Sequence, residues 1–476
     1  MTRDCRCPHR PYSNAIFRDA EYALGRRAFL AGAAAAGISM LLPWRARAAG
    51  VTVLKAARLF NGESMQTPGL LVISGDRIVS LREGDAGSGA TVLELGDATI
   101  MPGLIDCHTH VSAFIMPSYY MTLTRPKYST ADNVPEATIY SVRNAQALLR
   151  NGFTTVRDVG GGAGIDLAIR NAVNNGAIVG PRILAAGQAL SITGGHGDSN
   201  DVPGWVEEDP SVRIGAISYG PYGFRELVRQ HVKLQVDVIK ILATGGVLSY
   251  GDVWDVPQFN LDEVQAVVEE STKFHRKVAA HAHGDEGIAV AVEGGVHSVE
   301  HGTGVSEKTL HNMQQRGTYL VPTLWALDSI LQPGNPNHIP PSGVQKAEYA
   351  AQLRNAGMQR AVASSVRIAY GTDAGVFPYA QNNKDFTLMA GFGMSPIAVM
   401  RSATAHAAEM IGTSDRGVLA PGKLADVAVF SGDPSRNVAL LETRPQLVLL
   451  GGERVDPSTA LRQAQGGPDP VSWTLR

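Results

Sequence analysis

The chain has 476 residues, of which 44% are hydrophobic and 18% charged, with 52 glycines. This composition excludes intrinsic disorder and collagen-like fibres, and it favours a large buried interior with many tight loops, as in an α/β enzyme. Lys and Arg number 42 against 44 Asp and Glu, so the chain lacks the basic footprint of a nucleic-acid-binding protein. Eight of the arginines but only three of the acids lie in residues 1–48, which leaves the remainder acidic and poorly suited to an anionic membrane surface.

Residues 1–48 are expected to be a twin-arginine signal peptide. Arg26-Arg27-Ala28-Phe29-Leu30 precedes an Ala/Gly-rich apolar stretch, Ala31 to Leu42, followed by Pro43 and the small-residue sequence Ala46-Arg47-Ala48-Ala49, the order of a paired-arginine export signal and its cleavage site. Gly25 and Ala31 stand where such signals more often carry Ser or Thr and Lys. The 17 residues from Ala28 to Trp44 fall short of the roughly 20 strongly apolar ones that span a bilayer. The expected product is periplasmic or secreted, with no stable membrane association after cleavage. Cys5, Cys7 and His9 lie in this leader and are not expected to bind metal. Only Cys107 remains beyond it, so no internal disulfide forms.

From residue 49 to 98 apolar and polar residues alternate through VTVLKAARLF and LLVISGDRIVSL, broken by the turn signals Asn61-Gly62 and Gly75-Asp76. The same texture returns between residues 413 and 462 in DVAVFSGD and QLVLLGGERV. The two segments are expected to pair into one small β-sandwich, with residues 463–476 a loose tail. Between them, over residues 99–412, eight short β-branched runs alternate with helical patterns: TIMPGLID, TTVRDV, RILAAG, DVIKIL, KVAAHAH, HSVEHG, TYLVPTL and RIAYGTD. Eight strand-then-helix units predict a (β/α)₈ TIM barrel, with functional loops at the carboxyl ends of the strands. Gly160-Gly161-Gly162 is too short and wrongly spaced for a dinucleotide-binding fingerprint.

Chemistry-bearing residues gather at those run ends. His108 and His110 close the first run, and residues two apart on a strand share a face. Lys240 lies inside the fourth run, where an amine among apolar neighbours is unfavourable unless neutralised or converted. His281 ends the fifth run, His301 the sixth and Asp373 the eighth. Taken singly, a barrel histidine is more often a hydrogen-bonded wall residue than a ligand, and a Gly-Thr-Asp can simply cap a helix. Joint placement at the rim favours a metal site. His231, His275, His311 and His338 fall in helical or loop patterns and are expected at the surface. Cys107 alternates away from its histidine neighbours.

The segments PGLIDCHTH and GVLAPGKLADVAVF, with the split sandwich around a barrel, resemble the amidohydrolase superfamily. TTVRDVGG, TGGHGD, KILATGGV, AHAHG, EHG and GTDAG are similar to its imidazolonepropionase-related branch, which contains Xaa-Pro dipeptidases, arginine carboxypeptidases and ochratoxin-hydrolysing amidases. The resemblance implies two divalent metal ions: His108, His110 and Asp373 on one, His281 and His301 on the other, and a carboxylated Lys240 bridging them. Balanced N/O ligation suits Zn²⁺, and also Mn²⁺ or Co²⁺. A hydroxide between the ions is the implied nucleophile, with Asp373 moving the proton.

Around this set, His283 follows His281 by two residues and is expected to contact the substrate carbonyl. His196, in a Gly-rich loop, and Tyr250, in the loop that also carries Trp254, are expected to touch substrate. Arg157 is expected either to bind a substrate carboxylate or to pair with Asp158. The implied activity is hydrolysis of a peptide-like amide in a dipeptide or N-acyl amino acid. Lactone opening or organophosphate cleavage on the same site is the alternative enzyme reading, and a metal-free binding scaffold the non-enzymatic one. Monomer and homo-oligomer are both compatible with the sequence.

Overall fold

The computed structural model describes residues 50–82, 89–112, 130–198, 200, 215–249, 251–336 and 339–455. The expected signal peptide, Tyr250, His338 and the tail lie outside them. Among the described residues no helix is long and apolar enough to cross a membrane.

Two sheets form the sandwich. One has the strand order Arg77–Ser80, Gly69–Ser74, Val51–Ala56, Thr91–Glu94; the other runs Glu453–Arg454, Leu447–Leu450, Val427–Ser431, Ala98–Pro102, Arg58–Phe60, Met65–Gln66. The ends of the chain meet in the second, where Val427–Ser431 pairs antiparallel with Ala98–Pro102. Leu54, Leu71 and Ile73 from one sheet pack with Leu59, Ile100, Val427 and Val429 from the other. Period-two alternation is what delivers these side chains to a common face.

The rest is a (β/α)₈ barrel. Its parallel strands are Leu104–Thr109, Phe153–Asp158, Arg182–Ala185, Val238–Leu242, Lys277–Ala282, Ser298–His301 and Tyr319–Val321. Asp237 N donates to Ala185 O at 2.8 Å, joining the third strand to the fourth. The eighth position is filled by residues 366–374, which bridge Leu320 to Ile368 and Thr109 to Ala374. Helices between the strands start at sequence-encoded caps. Asn260 and Glu263 form a capping box on Leu261–Lys273, and Ser306 caps Glu307–Arg316, which Gly317 ends in the left-handed region.

Two expected strands differ from their runs. TIMPGLID is two strands: Ala98–Pro102 belongs to the sandwich and Leu104–Thr109 to the barrel. Gly103 is the handover, where a Cβ would lie 2.1 Å from Thr154 Oγ1. RIAYGTD is not a regular strand. Gly371 packs so closely that a Cβ would come within 2.9 Å of His108 Cβ, and Asp373 has φ 65°. Individual bonds replace the ladder: Cys107 N to Tyr370 O at 2.9 Å, Asp373 N to His108 O at 2.8 Å and His110 N to Ala374 O at 2.8 Å. Asp106 adds to them by accepting from Thr372 Oγ1 at 2.7 Å.

Next to this seam the core holds a stack of Tyr370, Phe386 and Phe153, all fully buried, with ring centroids 4.3 Å apart for Tyr370–Phe386 and 6.2 Å for Phe153–Phe386. Phe386→Ala is expected to lower unfolding stability by about 3–5 kcal/mol, the usual cost of deleting a buried ring. Chemical denaturation followed by circular dichroism measures it; a loss under about 1 kcal/mol would mean that the site collapses freely around the missing ring.

Candidate metal centre

The first barrel strand places His108 and His110 side by side, with ring centroids 5.3 Å apart. His108 Nδ1 lies 2.8 Å from Glu300 Oε2, and His110 Nδ1 lies 3.0 Å from Gly160 O. Both partners accept, so each Nδ1–H donates and each Nε2 is left with its lone pair. Those Nε2 atoms face Asp373 Oδ1 at 3.3 Å and 3.1 Å. Three acceptors pointed at one another repel unless a cation sits among them, and their mutual separations are all within 4.8 Å. The group can therefore hold a metal ion.

A second group joins the ends of the fifth and sixth strands. His281, His283 and His301 offer ligand atoms within 4.8 Å of one another. His281 donates from Nε2 to Gly245 O at 3.0 Å; His283 Nδ1 lies 2.7 Å from Thr303 Oγ1 and His301 Nδ1 lies 2.6 Å from Thr323 Oγ1. Burial pushes His283 down to about 3 and holds His281 and His301 well below the usual imidazole range. Neutral imidazoles keep the lone pairs that a metal needs. The two groups adjoin: the His108 and His301 ring centroids are 4.9 Å apart.

Lys240 is buried on the fourth strand, and among the described residues no hydrogen bond or ion pair engages its amine. Burial lowers it to about 8, against the pull of Glu300 and Asp373. Its charge bears on His110 in the first group and on His281, His283 and His301 in the second. Both His301 and Asp373 have left-handed backbone, φ 70° and 65°, as does Thr323 at 44°. Such strain in non-glycine residues gathers where side chains must be aimed.

The sequence-expected substrate residues divide. His196 sits in place, its ring 4.4 Å from His281, with a buried Nδ1 that has no hydrogen-bond partner among the described residues. Gly246 makes room, since a Cβ there would lie 2.0 Å from the His196 ring. Trp254 stands edge-on to His283 at 5.5 Å. Arg157 neither meets the site opening nor pairs with Asp158. Neighbouring residues of a strand face opposite ways, and its guanidinium instead reaches Glu300 Oε1 at 2.7 Å, Ser298 Oγ at 3.1 Å and Cys107 O at 2.5 Å. Asp158 accepts from Val111 N at 2.6 Å and Gly160 N at 3.0 Å.

His231 is another correction. It is buried, its two ring nitrogens 2.8 Å from Leu227 O and Gln188 O, because the helix Gly220–Lys233 turns that face to the barrel. His275 and His311 are exposed as expected. Cys107 packs among Ile105, Tyr319, Val321 and Ala369, away from the histidines. Glu300, Thr303 and Thr323, which orient three of the imidazoles, were not expected. Alternation along Ser298-Val299-Glu300 was the available signal, since it puts a carboxylate on a buried strand face.

A (β/α)₈ barrel with two adjoining histidine-rich groups at its strand ends defines a hydrolase whose site can hold metal ions. The model of the amidohydrolase family matches residues 99–455, and the chain belongs to that family. It acts on amide or peptide bonds. Ochratoxinase from Aspergillus niger is 30% identical over 410 residues, covering 82% of this chain and 83% of that protein. A solved Xaa-Pro dipeptidase with methionine in its active site is 32% identical, covers 86% of this chain and 100% of its own, and superposes with a TM-score of 0.77. A prolidase complexed with N-methylphosphonate-L-proline gives the same identity and TM-score, 32% and 0.77, over 85% of this chain and 99% of its own.

Glu300 is charged in place: burial alone would raise it, but Arg157 and His108 bring it to about 2. Glu300→Gln is expected to weaken metal affinity about 10–100-fold, the usual effect of losing a carboxylate behind a ligating histidine. Competition with a chelator reads this directly, and an unchanged affinity would show that Glu300 does not orient His108.

Proposed function

We propose that this chain is an exported, binuclear metal-dependent amidohydrolase that cleaves a peptide-like amide in a dipeptide or N-acyl amino acid bearing a free carboxylate. The observation that carries the reading is the pair of adjoining donor groups, one completed by Asp373, with the buried amine of Lys240, unpaired among the described residues, acting electrostatically on both. Likeness to an ochratoxinase and to Xaa-Pro dipeptidase structures supports the substrate class.

In this reading His108, His110 and Asp373 hold one ion and His281 and His301 the other, with Lys240 carboxylated between them. Zn²⁺ suits the donor set, as do Mn²⁺ and Co²⁺. When bound, the ions supply Lewis acidity and an activated water. Asp373 accepts the proton of the attacking water and returns it to the leaving nitrogen. His283 donates from Nε2 to the scissile carbonyl while Thr303 fixes its ring. His196 offers its free Nδ1 to the substrate carboxylate. Burial brings His196 down to about 4, so it contacts that carboxylate as a neutral ring. Tyr250 is a further substrate contact in this reading.

Asp373→Asn keeps the shape and one weak oxygen ligand but accepts no proton. Metal content is expected to fall modestly and kcat by about 10²-fold or more on an N-acyl amino acid. Near-native turnover with two metals bound would assign the proton to another group. Lys240→Ala is expected to lose most of the bound metal, and short carboxylic acids should partly restore the rate. For export, changing Arg26 and Arg27 together to Lys should leave the protein in the cytoplasm. Intact mass of the exported wild-type form should place its start near Ala49 or Gly50, and a species retaining Met1 would overturn the signal assignment.

A further inference from the structure

Lys346 lies on the helix Pro341–Ala363, which follows the seventh barrel strand, yet its ammonium serves the loop after the fourth. It reaches Ser249 O at 2.9 Å, Asp252 Oδ1 at 3.0 Å and Gly246 O at 3.1 Å. Three acceptors match the three donors of an ammonium. Asp252 is buried, and it also accepts from Ser249 Oγ at 2.6 Å and Gly246 N at 3.0 Å. The loop's neck is closed as well: Thr244 bridges Pro257, and Gln258 N donates to Ala243 O at 2.8 Å. Gly284 leaves no slack beside it, since a Cβ there would meet Asp255 O at 1.8 Å.

This fastened loop carries Trp254, whose buried ring stands edge-on both to His283 at 5.5 Å and to Tyr349 at 5.8 Å. Tyr349 is 52% exposed and lies three residues beyond Lys346, on the same helix face. One turn of one helix thus fastens the loop and completes an aromatic wall running from His283 to solvent. Such a wall takes up apolar area.

We propose that Lys346 is a positioning residue for substrate selection: through Asp252 it fixes Trp254 against His283, and the Trp254–Tyr349 wall receives a large apolar side chain of the substrate. This rests on the amide-hydrolase reading for placing substrate beside His283. Without the ammonium, a buried carboxylate and two carbonyls lose their partner, and the loop must open to hydrate them.

The test uses the zinc-loaded full chain with N-acetyl-phenylalanine and N-acetylglycine. Lys346→Met is expected to reduce the preference in kcat/KM for phenylalanine over glycine about ten-fold, the scale of losing part of an apolar pocket. The loss should lie in KM, Lys346→Arg should restore most of it, and Asp252→Asn combined with Lys346→Met should do no more than Lys346→Met alone. A preference unchanged in Lys346→Met, or a loss confined to kcat, would overturn the proposal. A second readout needs no turnover. Free phenylalanine should quench Trp254 fluorescence, isolated by difference from Trp254→Leu, with about ten-fold weaker affinity in Lys346→Met. If the wild type hydrolyses neither substrate but the quench weakens as expected, the amide reading falls and the clamp stands. If hydrolysis proceeds while preference and quench are unaffected, the clamp falls and the amide reading stands.

Discussion

Asp373 aims its carboxylate at two imidazole nitrogens that other bonds have already turned into acceptors. Almost every irregularity at the carboxyl end of the barrel follows from keeping those three acceptors together. The eighth segment gives up a regular ladder so that Asp373 can take a left-handed backbone, and Gly371 lets that segment lie against His108. Asp106 then binds the backbone of His108 and the side chains of Thr372 and Asn382, tying the first and eighth segments where ladder bonds are missing. A barrel with eight equal strands would be more regular, but its eighth carboxylate would not turn toward the first strand.

The same constraint reaches outward. A buried carboxylate such as Glu300 is costly unless its oxygens are paired and hydrogen-bonded. Arg157 and Ser298 engage Oε1, leaving Oε2 for His108. Arg157 in turn anchors on Cys107 O, the backbone next to the ligand it helps to orient. Three barrel strands are thereby joined through one charged network, so the imidazole orientation is built into the wall rather than left to a loop.

Much of this was legible in the sequence because strands impose a period of two. His108 with His110 and His281 with His283 share faces for that reason, and the rim position of His301 and Asp373 followed from run ends, while Lys240 stood out as an amine inside an apolar run. The pairing of the chain's two ends in the sandwich was legible from their alternation. What escaped depends on distance across the barrel. Glu300 adjoins the ligand His301 in sequence, whereas it supports His108, three strands away around the barrel in the other group. Arg157 could not be matched with Glu300 across 143 positions. His231 was misplaced because a helix pattern alone did not reveal that Gln188 O would meet its ring. The break at Gly103 was hidden because TIMPGLID is apolar on both sides of the glycine.

Charge balance ties Lys240 to the rest of the site. Glu300 is neutralised by Arg157, and the three histidines of the second group are neutral, so Asp373, in the first group, is the carboxylate among the two groups' donors. Two dications set against one carboxylate in a buried site would leave a large uncompensated positive charge, and a protonated lysine beside them would add to it. Burial already favours the uncharged amine, which is the form able to take up carbon dioxide. Carboxylation replaces that cation by an anion with two oxygens, at a point whose charge acts on both donor groups. The proposed carbamate therefore answers two demands together: it converts a buried amine that no described residue pairs with, and it would supply negative charge beside the neutral His281, His283 and His301.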